Sequence, residues 1–112
     1  MLASSAMVLP AMASTSRNQS MMSQAREYVF ASCVFEKYKG NSLSSEADAW
    51  ASGIIENGSL RIEAYKQLSD LSKSTPEVGT TQLGVAMKLQ TCFKFINSLE
   101  FERNARQILR KQ

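Results

Sequence analysis

QAREYVFASCVFEKY, residues 24–38, is the stretch whose spacing decides the fold class. Tyr28, Ala31, Val34, Phe35 and Tyr38 recur at three- and four-residue intervals, and Phe30 and Cys33 widen the stripe they form. That period is the mark of an α-helix, and a stripe this broad predicts a helix packed from several sides at the centre of a domain. Lys37 and Lys39 complement the negative end of its dipole, and Gly40-Asn41 provides a left-handed stop.

Working outward, Ser44 or Ser45 is the expected N-cap of a second helix, with Glu46 and Asp48 in its first turn and Ala47, Trp50, Ala51 and Ile54 along one side. Gly58 ends it and Ser59 caps a third helix. There Ile62, Tyr65, Leu68 and either Leu71 or Ser72 share a face, while Arg61, Glu63, Lys66 and Asp70 face outward. So short a junction predicts an antiparallel hairpin of the two. Ser74-Thr75-Pro76-Glu77-Val78-Gly79-Thr80 reads as a loop, because Pro76 cannot continue a helix and Gly79 frees the backbone before an N-cap at Thr80 or Thr81. A fourth helix is expected over 82–97, with Leu83, Ala86, Leu89, Phe93 and Ile96 on one side and an overlapping stripe of Val85, Leu89, Cys92 and Ile96. Ser98 then caps a fifth, in which Phe101, Ala105, Ile108 and Leu109 lie together. Strand alternation and internal repeats are absent from the pattern, so the chain reads as all-α, a compact bundle of about five helices with short connections.

Residues 1–13, MLASSAMVLPAMA, are uncharged and end in the small-residue pattern Ala11-Met12-Ala13, which fits cleavage on export. The first positive charge is Arg17, so a basic n-region is missing, and an apolar arm packed on the domain is the other reading. A transmembrane helix needs about 20 apolar residues, more than this segment offers. Residues 14–23, STSRNQSMMS, read as a polar, flexible lead-in, which leaves 24–112 as one helical domain. Export bears on the two cysteines, Cys33 and Cys92, which both fall on apolar helix faces. In an oxidising compartment they would form a disulfide between the first and fourth helices, closing a loop of about 60 residues worth roughly 4 kcal/mol in the chain-entropy model. In a reducing one they would be two buried thiols.

Composition removes many activities. With no histidine there is no Ser-His-Asp triad, Cys-His dyad or His-bearing metal site, and two cysteines cannot fill a zinc site. Glu46 with Asp48, and Glu100 with Glu102, are two residues apart and so point different ways on a helix. Of six methionines only Met87 lies in the folded part, a poor copper site. The expected protein is therefore not an enzyme and carries no metal or cofactor. Charge is segregated. Residues 46–77 hold six acidic and three basic side chains, net −3, whereas 88–112 hold six basic and two acidic, net +4. Arg103, Arg106, Arg110 and Lys111 read as a solvated helix end; a nucleic-acid site would need a larger basic patch with interleaved aromatics.

Ordered motifs carry a resemblance. Ala31-Ser32-Cys33-Val34-Phe35 with Tyr38, Ala47 with Ala49-Trp50-Ala51-Ser52-Gly53, Glu56-Asn57-Gly58, Glu63-Ala64-Tyr65, and Met87-Lys88-Leu89-Gln90-Thr91-Cys92 followed by Ser98-Leu99-Glu100 occur in sequence over about residues 25–105. Together they resemble the type VI secretion amidase immunity proteins paired with the fourth amidase effector family. The resemblance implies a periplasmic antitoxin that binds a peptidoglycan-cleaving amidase with a papain-like cysteine site. It also implies a helical homodimer engaging two effectors, a heterotetramer, with a protruding loop inserted into the catalytic cleft. That loop is carried to Ser74, Thr75, Pro76, Glu77, Val78, Gly79, Thr80 and Thr81, with Glu77 at its tip, because this turn is the one long enough to project; the plain alternative is a helix connector. A different function class, a periplasmic helical adaptor or small chaperone, fits the composition as well.

Overall fold

The structure, a computed structural model, describes residues 2–111, with side-chain surroundings from Arg17 onward. Five helices make up the described chain: α1 (Leu2–Lys37), α2 (Ser42–Asn57), α3 (Ile62–Ser72), α4 (Lys88–Ile96) and α5 (Leu99–Leu109). The expected all-α class holds. A single antiparallel bridge, Thr80 to Ala86, is the only extended pairing among the described residues.

Helix α1 is the axis of the fold, and α2, α3, α4 and α5 all pack on it. Ala25, Tyr28, Val29, Ala31, Cys33 and Val34 are buried along its length, the broad stripe its spacing predicts. It begins well before residue 24, however, and runs through 14–23. Met21 and Met22 pack against the main core, so tertiary contact prolongs a helix whose polar composition suggested a lead-in. The expected processing site at Ala11-Met12-Ala13 lies outside the residues whose side chains are described.

The core has two parts. The larger holds Ala25, Tyr28, Val29, Leu60, Ala64, Tyr65, Leu68, Phe95, Phe101 and Ala105, with edge-to-face pairs Tyr28–Tyr65 at 5.1 Å and Phe95–Phe101 at 5.8 Å. The smaller centres on Cys33, Val34, Ala47 and Cys92, under Phe30, Phe35, Tyr38 and Leu43. Cys33 and Cys92 are joined in a disulfide, with Cα atoms 5.8 Å apart, the bridge between the first and fourth helices that export leads one to expect.

Several boundaries differ from expectation for identifiable reasons. Asn41, not Ser44 or Ser45, caps α2 by accepting a 2.9 Å bond from the Leu43 N–H; Ser44 is buried and its Oγ donates to the Phe35 carbonyl at 2.8 Å. Ser59 does not cap α3, which starts after Arg61, because the Gln24 side chain claims both its hydroxyl and its N–H, at 2.9 and 3.0 Å. On α3 the buried face is Ala64, Tyr65, Leu68 and Ser72, and Ile62 is exposed. Helices α2 and α3 each pack on α1 and scarcely on one another, so the expected antiparallel hairpin does not form; three residues of extended chain around Ser59 separate them and the broad face of α1 takes both. Trp50 is 40% exposed; its ring meets Phe30 edge-on at 5.9 Å and its indole N–H donates to Glu27 at 3.1 Å. Helix α5 follows its pattern, with Ser98 accepting from the Phe101 N–H at 3.1 Å and Phe101 and Ala105 buried.

Candidate partner-binding site

The largest departure lies between α3 and α4, over residues 73–87. The expected fourth helix begins six residues late, at Lys88, and what precedes it is a small hairpin. The connector starts tightly. Ser74 and Thr75 hydroxyls donate to the Leu71 and Ser72 carbonyls, both at 2.6 Å, and so satisfy the open end of α3. Pro76 and Glu77 are exposed, and Val78 is half-buried. From Gly79 the backbone pairs with itself. The Met87 N–H donates to the Gly79 carbonyl at 2.9 Å, Thr80 bridges Ala86, and the Thr81 N–H donates to the Val85 carbonyl at 3.0 Å. A turn closes the end: the Gly84 N–H reaches the Thr81 carbonyl at 2.9 Å, and the Val85 N–H reaches Thr81 Oγ1 at 3.1 Å. Gly84 has φ +81°, a left-handed conformation that a side chain disfavours and that commonly follows such a turn in hairpins.

Ser74 to Thr81 are thus brought together as the rising half of this connector. The tip is Gln82-Leu83, not Glu77, and Leu83 is 92% exposed. Leu83, Val85, Leu89 and Phe93, expected on packed helix faces, are all exposed, whereas Cys92 and Phe95 are the buried residues of α4. Sequence reasoning passed over Leu83 and Val85 because their spacing to Leu89 mimics a helix. The contrary signal was present: Thr80, Thr81 and Val85 are β-branched, and Gly79 and Gly84 bracket them.

Among the described residues no buried side-chain nitrogen or oxygen lacks a hydrogen bond, and no three His, Cys, Asp or Glu side chains cluster as a metal site. A groove of about 550 Å³ between α1 and α5 is lined by Met21, Met22 and Leu109 with Arg26, Arg106 and Glu102, the last two ion-paired at 2.7 Å. Burial holds the Tyr65 hydroxyl above the usual tyrosine range, against an opposing hydrogen bond with the backbone of Leu60; it also contacts Gln24 Oε1 and the Ile54 carbonyl, both at 3.4 Å. This tyrosine ties α1, α2 and α3 together inside the core. No described helix is long and apolar enough to cross a membrane.

The domain is thus helical and disulfide-stapled, and among the described residues its most exposed large apolar side chain, Leu83, sits on a self-paired hairpin. Comparison with protein families sharpens this: residues 23–105 match Tai4, the type VI secretion system (T6SS) amidase immunity proteins, and the chain belongs to that family. A search of curated proteins returned no match.

Proposed function

We propose that the chain is the periplasmic antitoxin of a type VI secreted peptidoglycan amidase, and that it inhibits by inserting the 73–87 hairpin into a papain-like active-site cleft. It is exported by way of residues 1–13 and acts as a non-catalytic homodimer that holds two effectors in a heterotetramer. The observation that carries the reading is the hairpin itself. Two backbone hydrogen bonds pair its arms around Thr80 and Ala86, a third closes its turn, and it presents Leu83 almost fully to solvent. A loop pre-formed in this way loses little conformational freedom on binding, and Pro76 restrains the approach to it. An apolar tip also suits a concave, largely apolar cleft.

Co-expression in the periplasm with a candidate cognate amidase tests the proposal. Wild-type protein should prevent lysis and co-purify with the amidase. Leu83→Asp, Glu77→Lys and replacement of 80–86 by two glycines probe the loop. Full protection by the tip variant and by the replacement together would exclude insertion as the mode of inhibition.

A further inference from the structure

Helices α2 and α3 both lie on α1 but scarcely touch each other, and the seam between the three opens into a recess of about 150 Å³. Tyr28, Ser32 and Glu36 line it from α1, four residues apart and therefore on one side of that helix. Asp48 and Ala51 of α2 and Ser69 and Ser72 of α3 form the other walls. Ser32 is only 9% exposed, yet its hydroxyl hydrogen-bonds to no described residue. No fully enclosed side-chain oxygen is left unpaired, so this one must open onto the recess that Ser32 lines. The hydroxyl of Tyr28, a residue 8% exposed, likewise has no described partner.

What the recess offers is acceptors. Ser72 is 4% exposed and its hydroxyl proton is committed to the Ser69 carbonyl at 2.6 Å, so to anything else it can only accept. Carboxylates accept as well. Glu36 is ion-paired with Lys39 at 3.1 Å, whereas Asp48 has no ion-pair partner among the described residues. Two carboxylates and one lysine leave a single negative charge, and among the described residues no three acids gather to hold a divalent ion. The rest of the lining is apolar: the Tyr28 ring, Phe35 and the Ala51 methyl.

We propose that this recess binds a primary alkylammonium group, with its N–H donors on Asp48, Ser32 and Ser72 and its methylenes against Tyr28, Phe35 and Ala51. An ammonium carries one positive charge and three donors, which matches both the residual charge and the open acceptors, and aromatic faces favour a cation beside them. The space exceeds the ~30 Å³ share of one water and leaves room for a short methylene stem. A free amine and a lysine side chain of another protein present the same group. The recess is built without the 73–87 hairpin, so its occupancy does not depend on amidase inhibition.

The test titrates the full oxidised chain, isotopically labelled, with n-butylamine and follows amide chemical shifts. Saturable shifts should centre on Ser32, Ala51 and Ser69, and n-butanol, with the same stem and no charge, should produce none. Asp48→Asn should weaken binding roughly tenfold, the loss of one charge-assisted contact, and Ser32→Ala should weaken it several-fold with the thermal midpoint unchanged. N-acetyl-lysine amide separates the two sources: tighter binding than butylamine assigns the recess to a protein-borne lysine, and weaker binding assigns it to a free amine. Absence of saturable shifts with both amines overturns the proposal. So does equal binding of butanol, or affinity unaltered in both Asp48→Asn and Ser32→Ala.

Discussion

At Gly58 a single added carbon has nowhere to go. A Cβ there would lie 2.6 Å from the Ile54 carbonyl and 2.7 Å from Gln24 Oε1, and would collide with the Tyr65 hydroxyl. None of these can retreat cheaply, since Ile54 is backbone and Gln24 is engaged with Ser59. Gly58→Ala should therefore destabilise the fold by about 1–3 kcal/mol, read from urea midpoints at constant slope. Tyr65 makes a second prediction. Because burial raises its folded-state pKa, the proton is held more tightly in the folded protein than in the unfolded chain. The associated stability is intact below the unfolded tyrosine value of about 10 and is lost as the pH rises through the folded value. Stability should thus fall above about pH 10 in wild type, and Tyr65→Phe should remove that part of the slope in alkaline titrations followed by circular dichroism. The sequence announces Gly58 as a helix stop, which it is. Its contact with a residue of α3 could not be read there, since it depends on how α1, α2 and α3 converge.

Elements differ in how far local patterning governs them. Helix α5 is decided locally: Ser98 caps it, Glu100 and Glu102 occupy its first turn, and Phe101 and Ala105 face inward as their spacing dictates. Ser98→Ala should cost about 1 kcal/mol, measured by chemical denaturation. The start of α4 shows the limit of the same logic. Leu83, Val85 and Leu89 are spaced as a helix face, but Gly84 is left-handed, and the hydrogen bonds of Thr81 with Gly84 and Val85 stabilise a turn instead. Gly84→Ala should leave the helical signal and thermal midpoint nearly unchanged while weakening amidase inhibition. The cost of holding alanine at positive φ, about 1–2 kcal/mol, falls on the hairpin. Inhibition equal to wild type would mean that the hairpin's shape is irrelevant to binding. Helix α1 errs in the opposite sense. Its polar residues 14–23 contain no strong breaker, and Met21 and Met22 find the core, so the helix continues where composition alone suggested a lead-in.

On the scale of the molecule, one long helix organises everything else, and the disulfide fixes the most weakly held element to it. Helix α4 has nine residues, of which only Cys92 and Phe95 are buried, and Arg26 of α1 adds one hydrogen bond to the Ile96 carbonyl at 3.3 Å. The bond spans a sequence separation of 59, so replacing both cysteines by alanine should lower stability by roughly 4 kcal/mol in the chain-entropy picture. Urea unfolding of the variant beside wild type with and without reductant checks this. Reduced wild type and the variant should nearly coincide. The central helix and the disulfide-linked faces were legible because they follow from periodicity and the small number of cysteines. The hairpin before α4 was not, because what leaves Leu83 and Val85 outside is the mutual pairing of its two arms.

That staple also sets a schedule. Leu89 and Phe93 stand exposed on the same short helix that Cys92 secures, so a chain whose thiols are still reduced holds that helix to the core mainly through Phe95 and Ile96. Oxidation adds a covalent tie to α1 beside those contacts. The posture of α4, and of the hairpin that leads into it, is thereby tied to a chemical reaction of the surroundings and should tighten where thiols are oxidised.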